Sequence, residues 1–271
     1  MRVDLLMLKK LLLCVAVLPI LAHAVNFHVE DKYISTGNDF AKLCGNECPA
    51  LNYGLISTNH AWVQHIINKS VVSVFGTAGD ENSAQDLLYK EFAKIAYPSD
   101  RDLTRFLTAS EKNLIGEHKK LIQSQGITGV PWIDISSRPR YLGHRGNLEL
   151  FSITEFYQFG NTAGTGSINY FVFDMDEKQQ LSLDDVLLPN GQEKLAKLVQ
   201  EKFYTALQKG KVNLKNHEKS WPFFLTKNFT FNKDGIKFLY QPEEITPYNM
   251  GMPEFVIGYD QLKGIVLDKY L

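Results

Sequence analysis

Few residues in this chain have the types and spacing that chemistry needs. Its seven histidines are scattered, and two of the nearer ones, His60 and His65, lie five apart, which does not set both rings on one helix face. A structural zinc takes four ligands and a catalytic one three plus water; no His, Cys, Asp or Glu set is spaced for either, so no metal is expected. Asp174 and Asp176 point to one side of a strand. Paired carboxylates hydrolyse glycosides across a gap of roughly 5 to 10 Å, but Asp176 falls beside Glu177 where a turn is expected, and nothing in the sequence demands such a cleft. The loop Phe159-Gly160-Asn161-Thr162-Ala163-Gly164-Thr165-Gly166-Ser167 lacks the lysine and the following helix of a phosphate-cradling loop. Its end, Gly164-Thr165-Gly166-Ser167, is not the Gly-x-Ser-x-Gly turn that exposes a nucleophilic serine. No catalytic group and no cofactor are expected.

What remains is binding chemistry. Glycines in the Phe159–Ser167 loop permit positive φ and close backbone approach. A second unusual loop runs Glu243-Glu244-Ile245-Thr246-Pro247-Tyr248-Asn249-Met250-Gly251. Tyr248 is a rigid amphipathic ring of the type enriched at interface hot spots, Pro247 restrains the backbone before it, and Glu243 and Glu244 could meet a basic partner. The expected contact residues are Phe159, Asn161, Thr162, Gly164, Ser167, Glu244, Pro247, Tyr248 and Gly251. The alternatives are an ordinary long hairpin, a tyrosine that caps the core and a solvated pair of glutamates. Trp62 and Trp221 read as core.

The elements that must hold these loops follow from periodicity. Phe27 to Ser35 reads as a first strand. Helical spacing runs from Asn59 to Phe75, with Trp62, Ile66, Ile67, Val71, Val74 and Phe75 on one stripe, and Thr58 or Asn59 as N-cap. Asp80 caps a helix over Glu81–Ala96, which Pro98 ends, and Asp100–Ser124 reads as a third helix interrupted near Gly116. The period then changes to two: Val130–Leu142, Leu148–Phe159 and Ser167–Met175 read as successive antiparallel strands. Leu181–Leu188 and Gln192–Leu207 are helical, with a turn at Asn190-Gly191. Asn228–Phe231 and Ile236–Tyr240 form a hairpin across Lys233-Asp234-Gly235, Glu254–Ile257 is a short strand, and Tyr259–Val266 a closing helix. This order predicts an α+β fold, an antiparallel sheet with helices packed on one face.

Residues 1–24 read as a signal peptide: Lys9 and Lys10, an apolar run Leu11–Leu21, and Ala22-His23-Ala24 as the cleavage site. The run is too short for the roughly 20 residues of a membrane span, and Leu12-Leu13 before Cys14 lacks the small residues of a lipoprotein signal. A cleaved chain would start near Val25, be periplasmic or secreted, and carry 26 basic against 29 acidic residues, net −3 once Arg2, Lys9, Lys10 and Asp4 are gone. That balance excludes a nucleic-acid binder by bulk charge. Cys44 and Cys48, the two cysteines left, suit a local disulfide in an oxidising compartment. Asn68-Lys69-Ser70 and Asn228-Phe229-Thr230 match the glycosylation sequon.

Several segments together resemble a bacterial pattern: Tyr157-x-Phe159-Gly160-x-x-Ala163-Gly164, Asn169-Tyr170-x-x-Phe173-Asp174, Leu181-Ser182-Leu183-Asp184-Asp185-Val186-Leu187, Phe231-x-x-Asp234-Gly235-Ile236 and Pro247-Tyr248-x-x-Gly251. The chain is similar to the extracytoplasmic domain of RsiV-type anti-sigma factors, which is also found on some peptidoglycan deacetylases and in secreted proteins of unknown function. The resemblance covers roughly Phe151 to Leu267, with a weaker match over Asn26 to Leu150. It implies an RsiV-like domain over 151–271, forming one compact unit with 25–150, that works by binding. In the anti-sigma members the partner is lysozyme, whose substrate cleft receives the recognition loops. Here the family's loop histidine is missing from Gly160-Asn161-Thr162-Ala163-Gly164, and only about ten residues precede the apolar run, so an anti-sigma role is not expected. The expected function is a non-enzymatic, cell-envelope binding protein whose partner is lysozyme or another envelope protein or glycan. The alternatives are a peptidoglycan-associated deacetylase or hydrolase, or its accessory module, and a structural envelope protein.

Overall fold

The computed structural model describes residues 27–35, 48–77, 81–125, 133–160 and 163–271. The expected signal peptide, Asp80, Cys44, Asn161 and Thr162 lie outside them. Cys48 opens the second stretch and packs half-buried against the first core.

The α+β architecture is present. A six-stranded sheet runs, in hydrogen-bonded order, β1 (Val29–Ser35), β2 (Ala50–Thr58), β3 (Ile133–Arg145), β4 (Leu148–Phe159), β5 (Thr165–Asp174) and β6 (Gln179–Gln180). All its neighbours are antiparallel except β2 and β3, which pair in parallel from Ala50↔Asp134 to Tyr53↔Ser137. Between these two strands the chain forms α1 (Ala61–Ser73), α2 (Ala84–Ala93) and α3 (Asp100–Gln125). A parallel neighbour needs such a crossover, because a tight turn can only return the chain antiparallel.

The three helices cover one face. Val63, Ile67, Val71 and Val72 of α1 and Leu103, Phe106, Leu107 and Leu114 of α3 join Leu51, Ile133, Ile135, Phe151, Ile153 and Phe173 of the sheet in a first core. Asn68, on the buried stripe of α1, is the polar exception. Its amide accepts from Ile56 N at 2.8 Å and donates to Ile56 O at 2.9 Å, which locks the helix to β2. A buried amide with both ends bonded is stable where an unmet one would cost about 1–3 kcal/mol. The same bonds keep the first sequon asparagine inside the fold.

The opposite face has its own cover. β7 (Phe229–Phe231), β8 (Gly235–Leu239) and β9 (Glu254–Gly258) form a separate three-stranded sheet. With α4 (Leu183–Val186) and α5 (Gly191–Lys209), it encloses a second core into which Leu148, Leu150 and Val172 point. β4 is therefore buried on both faces, and Leu148 to Ser152 form a continuous buried run rather than an alternating one. α6 (Leu214–Ser220) and the single-turn α7 (Tyr259–Leu262) complete the α-helices among the described residues.

Several boundaries differ from expectation for local reasons. α1 is capped at His60, where Thr58 Oγ1 accepts from His60 N at 3.0 Å, and α2 starts after Ser83, whose side chain accepts from Asp86 N. α3 runs unbroken through Gly116, where an added Cβ would meet open space. The closing helix ends at Leu262 because Gly264 takes φ 72°.

The two sheets are joined by side-chain amides. Asn228 Oδ1 accepts from Tyr170 N at 2.8 Å, while its Nδ2 donates to Ile168 O at 2.8 Å and Leu239 O at 3.2 Å. Gln241 Nε2 donates to Ile168 O at 2.7 Å and its Oε1 accepts from Ile168 N at 3.1 Å. Two side chains thus occupy the edge of β5 that a further strand would otherwise take. The second sequon asparagine is spent on this seam.

Candidate functional site

The two recognition loops predicted from residue type meet. Tyr248 donates its hydroxyl to Gly164 O at 3.3 Å, across 84 residues of chain. The meeting is built from below. Ile245 is fully buried in the second core, and its carbonyl accepts from His217 Nε2 at 2.8 Å. Glu244 Oε2 accepts from Gln241 N at 2.7 Å. These contacts fix the base of the loop. Pro247 then starts a single 3-10 turn, Tyr248–Met250, which Gly251 closes at φ 72° and ψ −145°, a conformation that only glycine takes at low cost.

On the other side, β4 and β5 bring Phe156 opposite Gly166 and Tyr157 opposite Thr165. Gly164 lies over the ring of Phe156: an added Cβ would sit 2.2 Å from Cζ, so any other residue here would displace that ring. Met252 reaches within 3.9 Å of the position a Cβ would take on Gly166. Glu155 accepts from Ser167 Oγ at 3.0 Å and Asn169 Nδ2 at 3.2 Å.

Large apolar groups stay outside on both segments: Tyr248 is 53% exposed, Met250 48% and Tyr157 39%. Burial pushes the carboxyls of Glu155 and Glu244 above the ordinary range, opposed in Glu155 by the Ser167 hydroxyl and in Glu244 by the Gln241 backbone amide. Glu244 therefore braces the loop rather than presenting a free charge, while Glu243 is exposed at a positive φ of 67°. Phe159 packs against the first core. Of the expected contact residues, Gly164, Pro247, Tyr248 and Gly251 come together, and Ser167 lies one residue beyond Gly166 on β5.

Four clefts of 360 to 600 Å³ lie elsewhere on the molecule. Where the two loops meet, Tyr248 and Met250 leave an exposed apolar face. Residue types give no sign of Met250 and Met252, which the fold brings to the meeting of the two loops.

The carboxylates considered for hydrolysis are not a pair. Asp174 is fully buried, and its Oδ1 accepts from Asn147 Nδ2 at 2.8 Å, Asp176 N at 3.0 Å and Glu177 N at 3.1 Å, while Oδ2 accepts from the Tyr270 hydroxyl at 3.0 Å. Asp176 is exposed and takes part through its backbone. Among the described residues, no group of three or more His, Cys, Asp or Glu could hold a metal ion, and no helix is long and apolar enough to cross a membrane.

Residues 184–260 match the family described as "Protein of unknown function (DUF3298)". Two solved structures of that family share the fold. A DUF3298 family protein from Pseudomonas aeruginosa PAO1 superposes with a TM-score of 0.59 at 16% identity, covering 89% of this chain and 94% of the other. A member from Bacteroides fragilis superposes with a TM-score of 0.60 at 17% identity, covering 90% and 94%. No curated protein matches the chain.

Proposed function

We propose that this chain is an exported, non-enzymatic binding protein of the bacterial cell envelope, and that it engages its partner through the Tyr248–Gly164 face. The observation that carries the reading is the convergence of two distant loops into one exposed apolar surface on a buried, hydrogen-bonded base. Aromatic rings and methionines held at such a surface supply contact area at little entropic cost, and Tyr is enriched among hot-spot residues. Export is supported by the charged n-region, the short apolar run and the Ala22-His23-Ala24 site. The RsiV-like resemblance makes lysozyme the sharpest candidate partner. Glu243 would then contribute the acidic contact to a basic lysozyme, and Glu244 would hold the loop in shape.

The test is calorimetric titration of the purified protein with a hen-egg-type lysozyme, alongside a lysozyme activity assay. Binding and inhibition are expected. Tyr248→Ala should raise Kd by about 30-fold, the effect of losing a hot spot worth about 2 kcal/mol. Because its ring is mostly outside, the variant should keep the parent's thermal midpoint. Equal affinity in the variant would remove Tyr248 from the contact. Binding to peptidoglycan fragments with none to lysozyme would move the partner from protein to glycan.

A further inference from the structure

At the other end of β4 from the Tyr248 face, a cleft of about 430 Å³ opens between the end of β3 and the β7–β8 hairpin. His144, Arg145, Lys233 and Lys237 line it together with Leu150 and Thr230, and no carboxylate among the described residues does. Its volume falls within the roughly 300–1,000 Å³ of small-ligand sites. Arg145 is held in place: its Nη1 donates to Tyr270 O at 2.9 Å, and its guanidinium lies 4.3 Å from the centre of the Tyr259 ring. That bond uses one of the five N–H donors of a guanidinium. Lys237 is steadied by the Tyr170 ring at 5.4 Å and by Glu254 at 3.4 Å. Glu149, the acid nearest His144 in the strand pairing, is engaged by the Tyr141 hydroxyl.

A second observation is independent of these charges. Thr230 is 1% exposed, and its Oγ1 has no hydrogen-bond partner among the described residues. A buried hydroxyl without a partner costs about 1–3 kcal/mol, and native folds rarely retain one without a reason. An oxyanion in the cleft would supply the missing acceptor and meet the cationic wall at once.

We propose that this cleft binds a small anionic group, a phosphate or carboxylate carried on a compact body that can rest against Leu150. Arg145 would contact two oxygens in the planar manner that guanidinium favours, Lys233 and Lys237 would balance the charge, and the Thr230 hydroxyl would donate to a third oxygen. The site is separate from the Tyr248 face, so it stands whether or not that face binds lysozyme.

The test is a titration of the purified protein, by calorimetry and by amide NMR, with inorganic phosphate and separately with malonate. Saturable binding is expected, with the largest shifts at His144, Lys233 and Gly235; the tighter of the two anions identifies the ligand's charged group. Thr230→Val should weaken binding of that anion about tenfold, by loss of a charge-assisted hydrogen bond, and leave the ligand-free thermal midpoint equal or higher. A purely structural threonine would lower the midpoint and leave binding alone. The exposed Lys233→Glu should weaken binding by at least as much without affecting folding. The proposal is overturned if neither anion saturates, if shifts spread evenly over surface lysines, or if both variants bind like the parent.

Discussion

Asp174→Ala should lower the stability of the protein by about 3–5 kcal/mol, the usual range for removing one partner of a buried charged network. The carboxylate is fully buried and accepts four hydrogen bonds, which tie the β3–β4 turn through Asn147, the turn after β5 through two backbone N–H groups, and the chain end through Tyr270. Asp176 and Glu177 are exposed, so water can replace the acceptor for their amides. The Tyr270 hydroxyl is different, since Tyr270 is itself 1% exposed and would be left without an acceptor. Lys269 at 3.8 Å adds little, because its side chain is half in solvent and screened. Asp174→Asn, which keeps the volume and one acceptor, should lose less. Urea unfolding checks this, with Tyr270→Phe as background: there Asp174→Ala should cost about 1–2 kcal/mol less, since one orphaned donor is gone. A loss below about 1 kcal/mol in the parent would show that water satisfies the site.

Asn228→Ala should cost about 2–4 kcal/mol, from an unmet Tyr170 N–H and weakened satisfaction of Ile168 O and Leu239 O at the seam between the sheets. Gln241→Ala should cost less. Because both amides donate to Ile168 O, each single variant leaves that carbonyl one partner and only the double variant orphans it, so the double variant should lose more than the sum of the two. The same pair covers the β5 edge, so the double variant should also self-associate at concentrations where the parent stays monodisperse in light scattering. Strict additivity with no association would mean that the two amides act independently.

Much of the frame is legible in the residues. Leu148–Phe159 is a long apolar-rich run between two glycine-containing turns, which gives its boundaries, and α5 carries a clear stripe through Leu195, Val199, Phe203 and Leu207. β2 was hidden because Gly54 and Asn52 interrupt its apolar pattern, and because its strand character depends on β1 and β3, both distant in sequence. Gly116 suggested a break, yet a glycine costs a helix only about 1 kcal/mol relative to alanine, and the packed stripe of the 26-residue α3 exceeds that. The second sheet is not legible in the residues, because the hairpin and the last strand look the same whether they join one sheet or form another. The two loops of the proposed contact face were legible by composition. Their meeting, the brace from Glu244 and the packing of Gly164 on Phe156 were not, since each depends on contacts that tertiary folding alone creates.

The parallel pairing of β2 with β3 also sets an order of assembly. β3, β4 and β5 are joined by short turns and can zip locally, each closing a small loop at modest entropic cost. β2 can dock only after the long stretch holding α1, α2 and α3 has condensed over the sheet. Contacts between distant parts of a chain form late and slow the approach to the native state. Ala50–Tyr53 should therefore be among the last strand segments to gain amide protection in a pulsed hydrogen-exchange refolding experiment, well after Leu150–Tyr157. The helical cap would then be a late-closing half of the molecule, assembled on a meander that forms first.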